Sequence, residues 1–236
     1  MPTCKLNPKI FDSTGKMLPA VRETVLKIKD DIITDLKEEH GFTLKYIAFI
    51  MSGSLTGANY DNYSDFDLHF LINYEIYTEE NRELIKDYLA LYKDAFNRNE
   101  YVILDYNVEL YFQDITEPHR SPGIYDIDKE EWLKDPDCYK TSVTPNIVEL
   151  VRKFSNEIEE FIQRFHSRDY PDLEEFMDEL KAYNVKLKEF RNKGMLSPKG
   201  QYSDENLAFK QLRRSGDLKK LTNLKKDVRK KLYSMS

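Results

Sequence analysis

The apolar residues of this chain change period several times along its length. From Pro19 to Glu39 they recur at Val21, Val25, Ile28, Ile32, Ile33 and Leu36, behind a proline that a first turn tolerates, which predicts a helix ended by Gly41. The run "LKYIAFIM", 44 to 51, is short, aromatic and β-branched, and is bounded by glycine on each side, as a buried strand would be. "SDFDLHFLI" then alternates, with Phe66, Leu68 and Phe70 on one face and Asp65, Asp67 and His69 on the other, the signature of a half-buried strand. A second amphipathic helix is predicted over Glu79 to Asn97, where Leu84, Ile85, Tyr88, Leu91, Tyr92 and Phe96 follow helical spacing. Tyr101 to Asp114 returns to strand composition, as two short strands or as one with a bulge. Residues 116 to 137 are rich in turn formers and hold Trp132, expected to anchor the segment to the core.

Beyond Pro145 the pattern is helical, with elements expected at 145–166, 172–193, 203–215 and 217–233 and Ser203 as an N-cap. The expected architecture is α+β: a small mixed β-sheet flanked by helices in a first domain, 1–140, followed by a helical, basic C-terminal domain, 141–236. No internal repeat or low-complexity tract interrupts it.

Composition narrows the class. With 236 residues and 40% hydrophobic content the chain is long enough for a sizeable core, and 33% charged residues with few Gly or Pro argue for a globular protein. The opening "MPTCKLNPKIFDSTG" lacks the apolar region of a signal peptide, and no apolar run approaches the roughly 18 residues of a membrane helix. Cys4 and Cys138 stand far apart with no metal-ligand spacing around them, so the expectation is a cytoplasmic protein without membrane contact, disulfide or zinc site. The net charge of -6 hides an asymmetry: from Lys181 onward there are 16 Lys+Arg against 5 Asp+Glu, and before it 20 against 37. Such a basic end is either a solvated helix face or a surface for a polyanion such as a nucleoside triphosphate or RNA.

The chemistry concentrates in "MSGSLTGANYDNYSDFDLHF", 51 to 70. Asp65 and Asp67, at i and i+2 on a strand, project to the same side, close enough to share divalent cations and too close to be comfortable without them. Mg2+ is the natural occupant, since it prefers carboxylate and phosphate oxygens. Gly53 and Ser54 lie where the chain leaves the preceding strand, where backbone N–H groups and a hydroxyl attract phosphate oxygens, and Gly57 keeps the loop slim. Neither a Walker A loop nor a dinucleotide-binding glycine pattern is present. A two-metal site wants a third carboxylate on a neighbouring strand, for which Glu109 in "YNVELYF" is the first choice and Asp105 the fallback. His69 shares the acid face, where a lone strand histidine is more often a hydrogen-bonded bystander than a ligand, His40, His119 and His166 are scattered, and Ser54 lacks the G-x-S-x-G elbow of a covalent nucleophile.

The stretch G-S-x9-S-D-x-D-L, with Glu109 following, resembles the core of the polymerase-beta-like nucleotidyltransferase superfamily. "LNPKIFD", "VELYFQD", "GIYDIDKEEWL" and "ENLAFKQLRRSG" resemble small nucleotidyltransferases of bacteriophages and bacteria. The resemblance implies a nucleotidyltransferase core in which Asp65, Asp67 and Glu109 are the metal ligands and catalytic acids, holding two Mg2+ ions, with Mn2+ as a substitute. It further implies that Gly53 and Ser54 contact the triphosphate and that Ser64 supports the same oxygens. The implied reaction moves a nucleoside monophosphate from an NTP, ATP first, to a hydroxyl acceptor and releases pyrophosphate. Lys210, Arg213 and Arg214 are expected to clamp the outer phosphates or the acceptor, or else to serve solubility. The basic end favours RNA, such as a tRNA end, as acceptor. The alternatives are protein adenylylation and a non-catalytic nucleotide-binding module.

Overall fold

The computed structural model describes residues 5–119, 121–139 and 141–234. The chain forms two compact units, residues 1–140 and 141–236. Among the described residues there are six α-helices and one six-stranded mixed sheet, and no helix is long and apolar enough to cross a membrane.

In the first unit, helix α1 (Pro19–Glu38) starts at a proline after the extended residue Leu18 and buries Val21, Val25, Ile32 and Leu36. Gly41, at φ +65°, turns the chain out of it, with Gly41 N–H donating to Lys37 O and Phe42 N–H to Leu36 O. Strands β1 (Ala48–Ser52) and β2 (Phe66–Ile72) pair antiparallel. Helix α2 (Glu79–Asn97) then carries the chain across to a hairpin of β3 (Val102–Ile103) and β4 (Tyr106–Asp114), and β4 lies parallel to β2. Leu104 and Asp105, at φ +51° and +71°, are the two central residues of that hairpin turn, as a tight two-residue connection requires. Strands β5 (Ile124–Asp126) and β6 (Glu131–Lys134) complete the spatial order β3-β4-β2-β1-β5-β6.

Alternation separates the two faces of this sheet. Phe49, Met51, Phe66, Leu68, Phe70, Val108, Leu110 and Phe112 join α1 and Leu89 of α2 in one core. Phe70, tilted against Phe49 and stacked on Phe112 with centroids 4.6 and 5.6 Å away, knits β1, β2 and β4 together. On the other face, Asp67, His69, Asn107, Glu109 and Gln113 are polar, while Leu71 joins Ala48, Ile50 and Ile124 in a small second cluster.

Two expectations need correcting. The first strand begins at Ala48 rather than Leu44, since Ile47 is already turned to solvent, and it continues through Ser52. The turn-rich segment 116–137 contains β5 and β6, strands of three and four residues whose flanking turns mask any alternation. Trp132 on β6 packs against Phe11 and Tyr125 and donates its indole N–H to Gly15 O at 2.8 Å.

The second unit is a bundle of α3 (Pro145–Ser167), α4 (Leu173–Leu196), α5 (Asp204–Arg214) and α6 (Asp217–Tyr233). Thr144, Asp172 and Ser203 cap α3, α4 and α5 by accepting the N–H groups of Ile147, Glu175 and Asn206. Phe154, Ile158, Phe176, Leu180, Leu187, Leu212, Leu221 and Val228 form its core. Gly194, inside α4, admits the chain that folds back before α5, because a Cβ there would lie 2.4 Å from Ser203 Oγ and 2.6 Å from Glu205 Cβ. Asp217, buried at the start of α6, accepts hydrogen bonds from Ser155 Oγ (2.6 Å), Ser215 Oγ (2.7 Å) and Lys220 Nζ (3.0 Å).

The unit boundary also redraws the charge pattern. Residues 141–236 hold 20 Lys+Arg against 15 Asp+Glu, and residues 1–140 hold 16 against 27. The basic stretch after Lys181 thus folds together with the acidic α3 and the first half of α4. Lys186 meets Glu157 at 3.2 Å and Lys220 meets Glu159 at 3.7 Å.

Candidate active site

Two neighbouring strands, β2 and β4, bring the acids together. Asp67 is the register partner of Ser52 on β1 and of Glu109 on β4, so Ser52, Asp67 and Glu109 form one row across the polar face. Neighbouring strands stand ~4.8 Å apart, which makes Asp67 and Glu109 adjacent acids. Glu109 points away from the core and is exposed, while Asp67 is half-buried. Asp65 lies just before β2 with the same parity as Asp67 and is also half-buried. Asp105 sits in the β3–β4 turn rather than on a strand, so it does not share this row.

Gly53 ends β1 at φ +78°, and a Cβ there would fall 1.6 Å from Asp67 Oδ2. The Asp67 carboxylate therefore rests directly against the glycine backbone, in space that only glycine leaves open. The chain then makes a single 3-10 turn over Ser54–Thr56. The Gly53 N–H donates to Ser121 Oγ at 2.8 Å, and the Thr56 hydroxyl lies 2.7 Å from Gly53 O and 2.8 Å from Gly123 O. Gly57 and Gly123 permit this contact, since a Cβ on Gly57 would reach 2.7 Å from Pro122 and one on Gly123 would reach 2.4 Å from Thr56 O. Ser54 donates its hydroxyl to Ser64 Oγ at 2.8 Å, and Ser64 also accepts the Asp61 N–H at 3.0 Å. The Gly-Ser turn is thus tied to the residue that precedes Asp65.

A second row follows on the same face. His69, the register partner of Tyr111, places Nδ1 2.7 Å from Gln113 Oε1 and Nε2 3.2 Å from Ser52 Oγ. This network assigns the proton to Nδ1 and makes Nε2 the acceptor of the Ser52 hydroxyl. Burial pushes the His69 imidazolium down, outweighing the opposing Gln113 hydrogen bond, so the ring stays neutral near pH 7. The chain of polar groups extends from Gln113 Nε2 to His119 Nδ1 at 3.4 Å.

Beside the acids is a cavity of about 600 Å³, walled by Asp67, His69, Glu109 and Tyr111 of the sheet and by residues at the C-terminal end of α2. Asn97 of α2 closes the outer edge of β4 there: it accepts Leu110 N–H at 2.8 Å and donates to Leu110 O at 3.1 Å. Lys93 lies over the Tyr111 ring, 5.4 Å from its centroid, and 3.3 Å from Asp94.

Six of the residues singled out in the sequence, Gly53, Ser54, Ser64, Asp65, Asp67 and Glu109, therefore belong to one region of the first unit. Lys210 and Arg213 lie on α5 of the second unit, half-buried and exposed respectively. Among the described residues no three His, Cys, Asp or Glu side chains form a ready-made metal cage. Ser52, Gln113, Lys93 and Asn97 were not singled out in advance. The parity of Gln113 with Glu109 was readable from alternation, whereas the helix residues needed the packing of α2 on β4. No protein-family model, no curated protein and no solved structure matches the chain.

Proposed function

We propose that the chain is a Mg2+-dependent nucleotidyltransferase that moves a nucleoside monophosphate from a nucleoside triphosphate, ATP first, to a hydroxyl acceptor with release of pyrophosphate. This is the activity implied by its resemblance to polymerase-beta-like nucleotidyltransferases. One observation carries the reading: Asp67 and Glu109 stand in register on parallel neighbours, with Asp65 two residues upstream and Gly53 bare beneath the Asp67 carboxylate.

The donor set fits the metal. Adjacent carboxylates repel unless a cation or proton lies between them, and an all-oxygen set without thiol suits a hard ion such as Mg2+, or Mn2+ in its place. Asp65, Asp67 and Glu109 would hold the two ions. When bound, Mg2+ supplies charge neutralisation for the triphosphate and a lowered pKa for the acceptor hydroxyl. The chain itself orients the reactants: the turn after Gly53 carries Ser54, whose hydroxyl is tied to Ser64, and this hydroxyl pair offers hydrogen bonds to phosphate oxygens. The hydrogen-bonded His69 and Gln113 hold the floor of the site rigid without adding a competing cation. Lys210, Arg213 and Arg214 enter the proposal through their charge, as partners for the outer phosphates.

The test is incubation of the purified chain with each labelled NTP and Mg2+, following label transfer and pyrophosphate. Both are expected from the native chain and are expected to vanish in Asp67→Asn and Glu109→Gln while the circular dichroism spectrum is kept. Undiminished turnover by Asp67→Asn would refute the reading.

A further inference from the structure

We propose that the acceptor is a small hydroxyl compound carrying protonated amines, seated in the cavity between β4 and the C-terminal end of α2. This rests on the nucleotidyltransferase reading, because it names what receives the nucleoside monophosphate.

Size is the first argument. A cavity of about 600 Å³ lies within the ~300–1,000 Å³ range of small-molecule sites, and it opens beside Asp67 and Glu109, where a hydroxyl has to arrive. Charge is the second. Apart from those two acids the wall carries Asp94 and Glu100, and Lys93 is its one lysine or arginine among the described residues. The Lys93 ammonium is 3.3 Å from Asp94, so it balances that carboxylate and leaves Glu100 in surplus. The wall is also the carbonyl end of the 19-residue α2, which adds partial negative charge. The surrounding unit, with 16 Lys+Arg against 27 Asp+Glu, deepens the same potential. An RNA phosphate entering here meets like charge, whereas an ammonium meets carboxylates. The third argument is the lining chemistry. Asn107 offers an exposed carboxamide for hydroxyl groups.

The step balances without a further reactant. The acceptor oxygen forms the new bond to the α-phosphorus, the bond from that phosphorus to the bridging oxygen breaks, pyrophosphate leaves, and the hydroxyl proton passes to solvent.

The test uses the full chain with Mg2+ and a mixture of the four labelled NTPs. The probes are a glucosamine trimer, its fully N-acetylated counterpart with the same skeleton and no amine charge, and tRNA. Label is expected in the glucosamine trimer at least tenfold above the acetylated trimer. In Asp94→Asn/Glu100→Gln the KM for the glucosamine trimer is expected to rise at least fivefold, with the KM for NTP unchanged. Equal labelling of the two trimers, label in tRNA or in protein alone, or no labelled trimer from a chain that binds Mg-NTP in calorimetry would each overturn the proposal. Failure of the underlying reading has a different signature: no Mg-NTP binding and no pyrophosphate. In that event calorimetry of the two trimers still decides whether the cavity prefers amines, and equal affinity overturns that preference.

Discussion

Gly53 and Asp67 share one volume: the Cβ that any other residue would place at position 53 coincides with a carboxylate oxygen of Asp67, 1.6 Å away. The site acid and the strand-end glycine are therefore a single structural unit.

Gly53→Ala is expected to destabilise the fold by about 2–4 kcal/mol, combining the left-handed φ with the collision. In an Asp67→Ala background the same substitution is expected to cost only about 1–2 kcal/mol, because the φ penalty remains and the collision does not. Urea unfolding of the four proteins in this cycle measures the difference. Equal costs in both backgrounds would show that the two residues do not compete for space.

Asn97 substitutes for a missing strand along the edge of β4. Asn97→Ala is expected to cost about 1–3 kcal/mol and to speed hydrogen exchange at the Leu110 amide, since that N–H and carbonyl lose their partner together. Exchange at Leu110 unchanged from the native chain would contradict this.

Gly194→Ala sets two effects against each other. Replacing glycine inside a helix ordinarily stabilises by roughly 0.5–1 kcal/mol. Here the added Cβ would stand 2.4 Å from Ser203 Oγ and 2.6 Å from Glu205 Cβ, so overpacking of about 1–3 kcal/mol is expected to win and the melting temperature to fall.

Asp217 gives the second unit a pH dependence of known sign. Burial pushes its carboxyl pKa up, but the hydrogen bonds from Ser155, Ser215 and Lys220 outweigh burial and hold it below the ordinary carboxylate value. A depressed folded-state pKa means that the stabilisation is complete above the unfolded value of 3.8 and is lost as pH falls through the folded one. Relative to the native chain, Asp217→Asn is therefore expected to be less stable at neutral pH, and the gap is expected to narrow below about pH 4, in urea titrations read by helical circular dichroism.

The elements that build the site were legible because each has a clean period. Alternation in β2 and β4 separates Phe66, Leu68 and Leu110 from Asp67 and Glu109, and α2 was delimited at Glu79 and Asn97 by its helical stripe. What stayed hidden depends on contacts distant in sequence. Nothing local to Gly53 announces that Asp67 will lie on it, and nothing local to Asn97 announces that it will pair with Leu110. Strands β5 and β6 were too short for a period to emerge between Pro122, Gly123 and the turn at Glu130. The charge division drawn at Lys181 fell within α4, and folding joins the basic stretch to acidic helices that precede it.

The parallel register of β2 and β4 also bears on how the chain reaches its native state. Asp67 and Glu109 meet only after the whole of α2 and the β3 hairpin have closed between them, a non-local pairing of the kind that slows folding. Bringing two carboxylates into register at that closing step creates the place where the proposed cations would bind, so divalent cations are expected to accelerate refolding of the native chain more than that of Glu109→Gln, a kinetic imprint of the site that stopped-flow experiments without any nucleotide would detect.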